Sequence, residues 1–179
     1  MKYKPADVWN YNFTSQHKLF LDANVWVYLY GPQGQKQSKV NVYSRTFRHI
    51  LKAKSRIYID VLALSEFINT YARLKWRTGT PPIPSFKVFR NSQHFKPVAK
   101  DITVKVKQIL KNCLRIESEF ETLEIGDLLK DYAIGGLDFN DQVITELCKS
   151  NGFMLITDDR DFKTQEIPIL TANRSLLSI

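Results

Sequence analysis

The sequence is poor in the residues that build metal centres from nitrogen and sulfur. It contains two cysteines, Cys113 and Cys148, and three histidines, and none of them falls at a spacing typical of a Cys/His metal site. Both cysteines lie among apolar neighbours in segments with helical periodicity. A disulfide would also suit them, but we expect buried free thiols, as in a reducing cytoplasm. We give the histidines no catalytic role.

Long apolar runs are also missing. No stretch approaches the roughly 20 apolar residues that a transmembrane helix needs, and residues 1–16 lack the apolar segment of a signal peptide. We therefore expect a cytoplasmic protein that does not enter a membrane. A length of 179 residues, of which 44% are hydrophobic, suits one domain over residues 1–179 with a sizeable core.

The charge is unevenly distributed along the chain. Residues 36–115 contain 18 Lys and Arg against 3 Asp and Glu, a net charge of +15, whereas residues 116–179 contain 5 against 13, a net charge of −8. A nuclease needs such a combination, because cations attract phosphates and carboxylates hold metal ions. The same lysines would also suit solvated helix faces, so the charge has to be considered together with the motifs.

Short apolar runs typical of strands alternate along the chain with segments of helical periodicity, and this pattern predicts an α/β fold. We expect a three-layer α/β/α sandwich with a largely parallel central sheet. Strands are predicted at residues 18–21, 56–59, 153–156 and 168–170. Helices are predicted at about residues 36–54, 61–77, 99–113, 120–132 and 138–151, with Asp138 or Asn140 as the N-cap of the last and Gly152 as its left-handed end. Asn24 is predicted to cap a helical segment after the first strand. Residues 1–17 read as an irregular arm, and residues 78–98 read as a loop insertion.

Four acidic residues occupy corresponding places in this pattern. Asp22 ends the first strand, and Glu66 lies in the helix after the second. Asp141 opens the late helix, and Asp159 follows the next strand. Because parallel strands end at one edge of a sheet, these side chains can converge there. Oxygen ligands suit Mg²⁺ or Mn²⁺, and two such ions can activate water and stabilise the leaving oxygen of a phosphodiester. Each acid alone would also suit a helix cap or an ordinary surface position.

Four motifs give the chain its resemblance to the PIN-domain family. They are LFLDANV at residues 19–25, LSEFIN at 64–69, DFNDQVI at 138–144 and LITDDRDF at 155–162, and they follow the order of the family. The resemblance implies a metal-dependent ribonuclease, a class most familiar as the toxins of VapC-type toxin–antitoxin pairs. It also implies an RNA substrate, an antitoxin protein as a partner, and the homodimer that such toxins often form.

The resemblance also assigns roles to residues. By matching motif, it gives catalysis and Mg²⁺ or Mn²⁺ binding to Asp22, Glu66, Asp141 and Asp159. It makes Asn24 and Thr157 polar residues that orient these ligands. Asp138 is an additional candidate ligand. Asp158, beside Asp159, leaves open which of the two is the fourth acid.

The insertion at residues 78–98 mixes basic and aromatic residues. The basic residues predicted to contact nucleic acid are Lys87, Arg90 and Lys96. The aromatic residues between them are Phe86, Phe89 and Phe95. These rings would suit stacking with unpaired bases, but we favour a small satellite core beneath a long loop.

Two alternatives differ in class from a nuclease. Phosphatases of the haloacid-dehalogenase type also place an Asp after the first strand, but they usually carry a second Asp two residues later, where this chain has Asn24. A non-catalytic PIN-like module that binds RNA or protein is the other alternative. The complete set of four acids argues against it.

Overall fold

The computed structural model describes residues 3–32, 34, 36–135 and 137–178, and the strands in this part of the chain form one sheet. They are β1 (Ala6–Asp7), β2 (Lys18–Leu21), β3 (Arg56–Ile59), β4 (Leu114–Arg115), β5 (Met154–Ile156) and β6 (Ile169–Thr171). Their order across the sheet is β1-β6-β5-β2-β3-β4, and every neighbouring pair is parallel. The predicted α/β fold with a parallel sheet is confirmed.

Helices connect these strands, as parallel pairing requires. They are α1 (Ala23–Tyr30), α2 (Gln37–Lys52), α3 (Val61–Thr78), α4 (Phe86–Arg90), α5 (Phe95–Lys111), α6 (Ile125–Ala133), α7 (Phe139–Asn151) and α8 (Arg174–Leu177). Helix α1 packs against α2 and α3, α3 also packs against α5, and α6 packs against α7. None of the helices in the described ranges has both the length and the apolar character needed to cross a membrane.

The two central strands, β2 and β5, are apolar along almost their whole length. Leu19, Phe20, Leu155 and Ile156 are fully buried, as expected for parallel strands that are covered on both faces. Phe153, just before β5, stacks on the rings of Phe20 and Tyr58 across the sheet. This core holds the carboxyl ends of β2 and β5 side by side.

The predicted caps of α7 are confirmed. The side chain of Asp138 accepts the backbone N–H of Asn140 at 2.9 Å, and Gly152 ends the helix in the left-handed region with φ 64°. The prediction for α1 was wrong, because Asp22 is its N-cap and Asn24 lies inside its first turn. The helix begins directly after β2, which leaves the Asn24 side chain free to turn back towards Asp22.

Two short edge strands were missed by the sequence prediction. Within the arm of residues 1–17, β1 pairs with β6, so the arm is not wholly irregular. At the opposite edge, β4 pairs with β3. Each has only two residues, which is too short for an alternating pattern to appear. The helix predicted at 120–132 begins later, at Ile125, after a 3₁₀ turn at Phe120–Thr122.

The segment 78–98 is not a continuous loop. It contains α4, whose first turn is capped by the Ser85 hydroxyl, and the start of α5 at Phe95. The prediction that α5 begins near residue 99 was wrong because Pro97 suggested a break. Pro97 lies in the first turn of α5, where a backbone N–H has no partner within the helix and proline is tolerated.

The two cysteines are free thiols, as predicted. Cys148 is buried in the main core, whereas Cys113 is only partly buried. Burial raises the pKa of the Cys113 thiol to about 12, so it is not a reactive thiolate at neutral pH.

A pair of chemically identical substitutions tests the position of the core. Leu155→Ala leaves a cavity in the fully buried strand β5 and should lower the free energy of unfolding by about 2–5 kcal/mol. Leu129→Ala, on exposed α6, should change it by no more than about 0.5 kcal/mol. Urea unfolding followed by circular dichroism measures both. Equal losses for the two variants would contradict the assignment of β5 to the centre of the sheet.

Candidate functional site

The candidate site lies at the carboxyl edge of the sheet, where β2 and β5 end next to each other. Asp22 follows β2, and Thr157, Asp158 and Asp159 follow β5. The backbone N–H of Asp22 donates to the carbonyl of Ile156 at 3.0 Å, which extends the pairing of the two strands to the site itself. In open parallel sheets, ligands bind at this edge.

Hydrogen bonds fix the carboxylate of Asp22, which is only 4% exposed. The Thr157 hydroxyl donates to Asp22 Oδ2 at 2.6 Å, and Asn24 Nδ2 donates to the same oxygen at 2.5 Å. Thr157 Oγ1 also accepts the backbone N–H of Asp159 at 3.0 Å, and Asn24 Oδ1 accepts that of Asp158 at 3.2 Å. Both residues predicted to orient the acids therefore contact Asp22 and the loop after β5.

The other predicted acids reach the same place from α3 and α7. Burial raises the pKa of Glu66 to about 7, with further contributions from the charges of Asp22, Asp138 and Asp159. Burial likewise raises the pKa of Asp141 to about 8, and the charges of Asp22, Asp159, Asp138 and Glu66 add to it. The structure thus places the four predicted acids and Asp138 close enough for their charges to interact.

Asp22 has a pKa of about 6 for a similar reason. Burial raises it most and the charge of Asp159 adds to the rise, whereas hydrogen bonds from Thr157 and the backbone lower it. Several carboxylates facing one space at neutral pH either retain protons or attract a cation. Oxygen donors of this charge fit Mg²⁺ or Mn²⁺ in chemical type.

The carboxylates do not yet form a coordination shell. Within the part of the chain that the structure describes, no three Asp, Glu, His or Cys side chains are arranged to hold a metal ion. The donors therefore fit such an ion in type and in charge, but not in their arrangement.

Asp158 belongs to a different environment from Asp159. Its Oδ1 accepts from Lys39 Nζ at 2.6 Å and from the Tyr43 hydroxyl at 3.0 Å, and its Oδ2 accepts from the Tyr28 hydroxyl at 3.1 Å. The two tyrosine rings stack with centroids 5.4 Å apart. The carboxylate of Asp158 is thus neutralised by α1 and α2, while Asp159 remains coupled to the acid cluster.

Sequence reasoning missed the three partners of Asp158. Lys39 lies among many basic residues of the +15 segment, and nothing in the sequence distinguishes it from a solvated lysine. Tyr28 and Tyr43 lie in helical apolar patterns and read as core residues. Their contacts join segments more than 110 residues apart, and only the packing of α1 and α2 against the end of β5 shows them.

The basic residues predicted to bind nucleic acid lie around a surface groove between α3 and α4. Lys87 and Arg90 line this groove, which encloses about 560 Å³, together with Arg73 from α3. Lys96 lies in the first turn of α5, exposed, and is not part of the lining. We call this feature the basic groove.

The phenylalanines beside the basic groove form the satellite core that was favoured from the sequence. Phe89 is 4% exposed and contacts Phe86 and Phe95, with ring centroids 6.3 and 5.5 Å apart. Trp76 from α3 closes the cluster against Phe86 at 5.8 Å. These rings stabilise the insertion by packing on one another.

A parallel α/β sheet with clustered carboxylates at its carboxyl edge defines the class of this protein. A sequence profile of the PIN domain matches residues 19–167, so the chain belongs to the PIN-domain family. PIN domains are generally nucleases that use divalent metal ions. Family membership sets the phosphatase alternative aside. No curated protein sequence matches the chain.

Two solved structures share the fold. One is a chain of VapBC2 from Rickettsia felis, which was solved bound to a DNA fragment from its promoter. The two chains are 18% identical and superpose with a TM-score of 0.56, and the match covers 86% of this chain and 98% of that chain. The other is PAE2754 from Pyrobaculum aerophilum, with 15% identity, a TM-score of 0.50, and coverage of 90% and 93%. At these identities the likeness shows a common fold.

The two neighbouring aspartates should differ in their effect on stability. Asp158→Asn leaves the Lys39 ammonium, 21% exposed, without its counter-charge and should lower the free energy of unfolding by about 1.5–3 kcal/mol. Asp159→Asn keeps an oxygen that can accept from the Asp161 N–H and removes a repulsive charge, so the stability should stay equal or rise. Urea unfolding in EDTA measures both. A larger loss for Asp159→Asn would contradict the two environments.

The raised pKa values predict how stability depends on pH. The folded chain keeps protons on Asp22, Glu66 and Asp141 up to about pH 6, 7 and 8, whereas the unfolded chain releases them near pH 4. Unfolding therefore releases protons in this range, and the free energy of unfolding contributed by these groups falls as the pH rises from about 4 to about 8. Asp141→Asn should gain stability relative to wild type as the pH rises. If the free energies of unfolding of the two proteins in EDTA changed with pH in parallel, the raised pKa of Asp141 would be contradicted.

Proposed function

We propose that this protein is a divalent-metal-dependent endoribonuclease. The observation that supports it most is the convergence of Asp22, Glu66, Asp141 and Asp159 at the carboxyl edge of a parallel sheet, where burial first, and then the charges of neighbouring acids, raise the pKa of Asp22, Glu66 and Asp141. Their position in a chain of the PIN-domain family is the second support. The four carboxylates are the proposed ligands, with Asp138 at the rim of the cluster.

Mg²⁺ or Mn²⁺ bound here would activate a water for in-line attack on the phosphodiester and stabilise the leaving oxygen. The protein supplies the donors and keeps them in place. Thr157 and Asn24 both donate to Oδ2 of Asp22 and so fix the orientation of its carboxylate. We assign the role of fourth acid to Asp159, because Lys39 and two tyrosines engage Asp158.

The substrate that suits this site is single-stranded or loop RNA. Asp22 is nearly buried, and an unpaired strand can bend to bring its backbone to a recessed carboxylate more easily than a duplex can. The positive charge of residues 36–115 would supply salt-dependent affinity that does not depend on sequence. Within it, Lys87, Arg90 and Lys96 are the proposed contacts to the strand.

The proposal extends to partners. VapBC2, which shares the fold, is solved as a complex bound to promoter DNA. By analogy, we propose that this chain is the toxin of a toxin–antitoxin pair, acts in the cytoplasm and binds an antitoxin protein. We also propose a homodimer, which the resemblance to the PIN-domain toxins implies.

Neutralising one acid should separate cleavage from binding. Asp141→Asn should reduce cleavage of labelled RNA in Mn²⁺ by at least about 100-fold, because one donor and its charge are lost. Its affinity for RNA should be equal or higher, because a charge that repels phosphate is gone. Cleavage rates in Mn²⁺ and in EDTA, together with gel-shift affinities, measure both effects.

The matched control is Asp127→Asn, which neutralises an exposed acid on α6 that pairs with Lys130. It should cleave like wild type. Equal cleavage by Asp141→Asn and wild type would reject the site and point to a contaminating nuclease. Binding without cleavage by wild type across varied RNAs would instead favour the non-catalytic module.

A further inference from the structure

Arg73 lies on the same helix as Glu66, and neither the sequence motifs nor the proposed metal site uses it. It follows Glu66 by seven residues, which is two turns of α3 or about 10 Å along the helix axis. Asn69 lies between them on the same face, three residues after Glu66. This face of α3 therefore leads from the acid cluster to the basic groove.

The basic groove carries positive charge that no acidic side chain among the described residues neutralises. Its lining includes Arg73, Lys87 and Arg90, and no carboxylate from the described residues lines it. None of the four ion pairs found in the described ranges involves these three side chains. The polar side chains of Asn69 and Asn91 and the rings of Phe86 and Phe95 complete the lining. Such a surface favours a ligand with several negative charges.

Arg73 is held in position from one side. Its guanidinium carbon lies 4.6 Å from the centroid of the Phe86 ring, and Phe86 is itself packed against Trp76 and Phe89. A guanidinium that lies over an aromatic ring keeps its N–H donors for another ligand, and its planar fork matches the oxygens of a phosphate. Arg73 is also exposed, so a ligand can reach it.

We propose that the basic groove is a phosphodiester subsite for the RNA strand and that Arg73 is its principal contact. The inference rests on the proposed ribonuclease function. A stacked strand advances about 3.4 Å per nucleotide, so the distance along α3 corresponds to about two to three nucleotides from the scissile phosphate. The common face of α3 favours RNA over an acidic segment of a protein, because an acidic protein partner would require no alignment between the groove and the acid cluster.

A series of single-stranded oligonucleotides of increasing length tests the subsite. For wild type in Mn²⁺, kcat/KM should rise about 10-fold or more once the strand extends two to three nucleotides beyond the cut on one side, and then level off. Arg73→Gln should lose this rise and cut the shortest substrates as wild type does. Arg174→Gln, at an exposed arginine on α8 outside both the groove and residues 36–115, should keep the rise.

Binding without metal separates the groove from the chemistry. In EDTA, fluorescence anisotropy of a labelled octanucleotide should show about 10-fold weaker binding by Arg73→Gln. The slope of log affinity against log salt concentration should also be smaller by about one, because one contact to a phosphate is lost. The double variant Lys87→Gln/Arg90→Gln should act in the same direction, and circular dichroism checks that each variant folds.

The outcomes are distinct. If wild type cuts no RNA but the groove variants still weaken binding, the ribonuclease proposal fails and the subsite stands. If the length dependence and the binding of both groove variants match wild type, the subsite is overturned while the ribonuclease proposal stands. Displacement of the octanucleotide by polyglutamate at equal charge concentration would overturn the assignment to RNA in favour of an acidic protein partner.

Discussion

The main physical constraint on this structure is the repulsion between several carboxylates at the end of the central strands, together with the free-energy cost of burying them. Asp22 is almost fully buried, and burial alone disfavours its charge. The topology brings these carboxylates together, because β2 and β5 are parallel neighbours that end at the same edge and Asp141, in the first turn of α7, interacts with Asp22. The protein offsets part of the cost with the donors Thr157 and Asn24, and leaves the remainder as an attraction for cations. Such local destabilisation is typical of functional sites.

Two adjacent aspartates show how the fold separates structure from function. Asp158 ties α1 and α2 to the end of β5 through Tyr28, Tyr43 and Lys39, and its carbonyl accepts from Asn173, before α8, at 2.6 Å. A loop held by four side chains, from α1, α2 and the residue before α8, has little freedom. The next residue, Asp159, is thereby presented to the acid cluster in a fixed direction, which reduces the ordering that ligand binding would otherwise require.

How much the sequence could predict depends on the length of each element and on how far apart in the sequence the residues of each contact lie. Strands β2, β3 and β5 have apolar runs long enough to recognise. The ends of these runs predict where the acids of the candidate site lie. Strands β1 and β4 have two residues each, and α4 was hidden among prolines, so local patterns could not show them. The roles of Lys39 and Arg73 were out of reach for another reason. Their partners are an aspartate and a phenylalanine whose proximity depends on how helices pack.

Helix α3 connects the acid cluster to the basic groove with little freedom in the distance between them. Phe67 and Tyr71 are buried along its inner face, and the Tyr71 hydroxyl hydrogen-bonds Asp101 of α5. The spacing between Glu66 and the groove is therefore set by helix geometry and not by a loop. Binding energy from a strand held at a fixed distance can be used to orient the phosphate at the acids. In the proposed ribonuclease, a rigid helix between the two surfaces would let the basic groove determine which bond lies at the acid cluster.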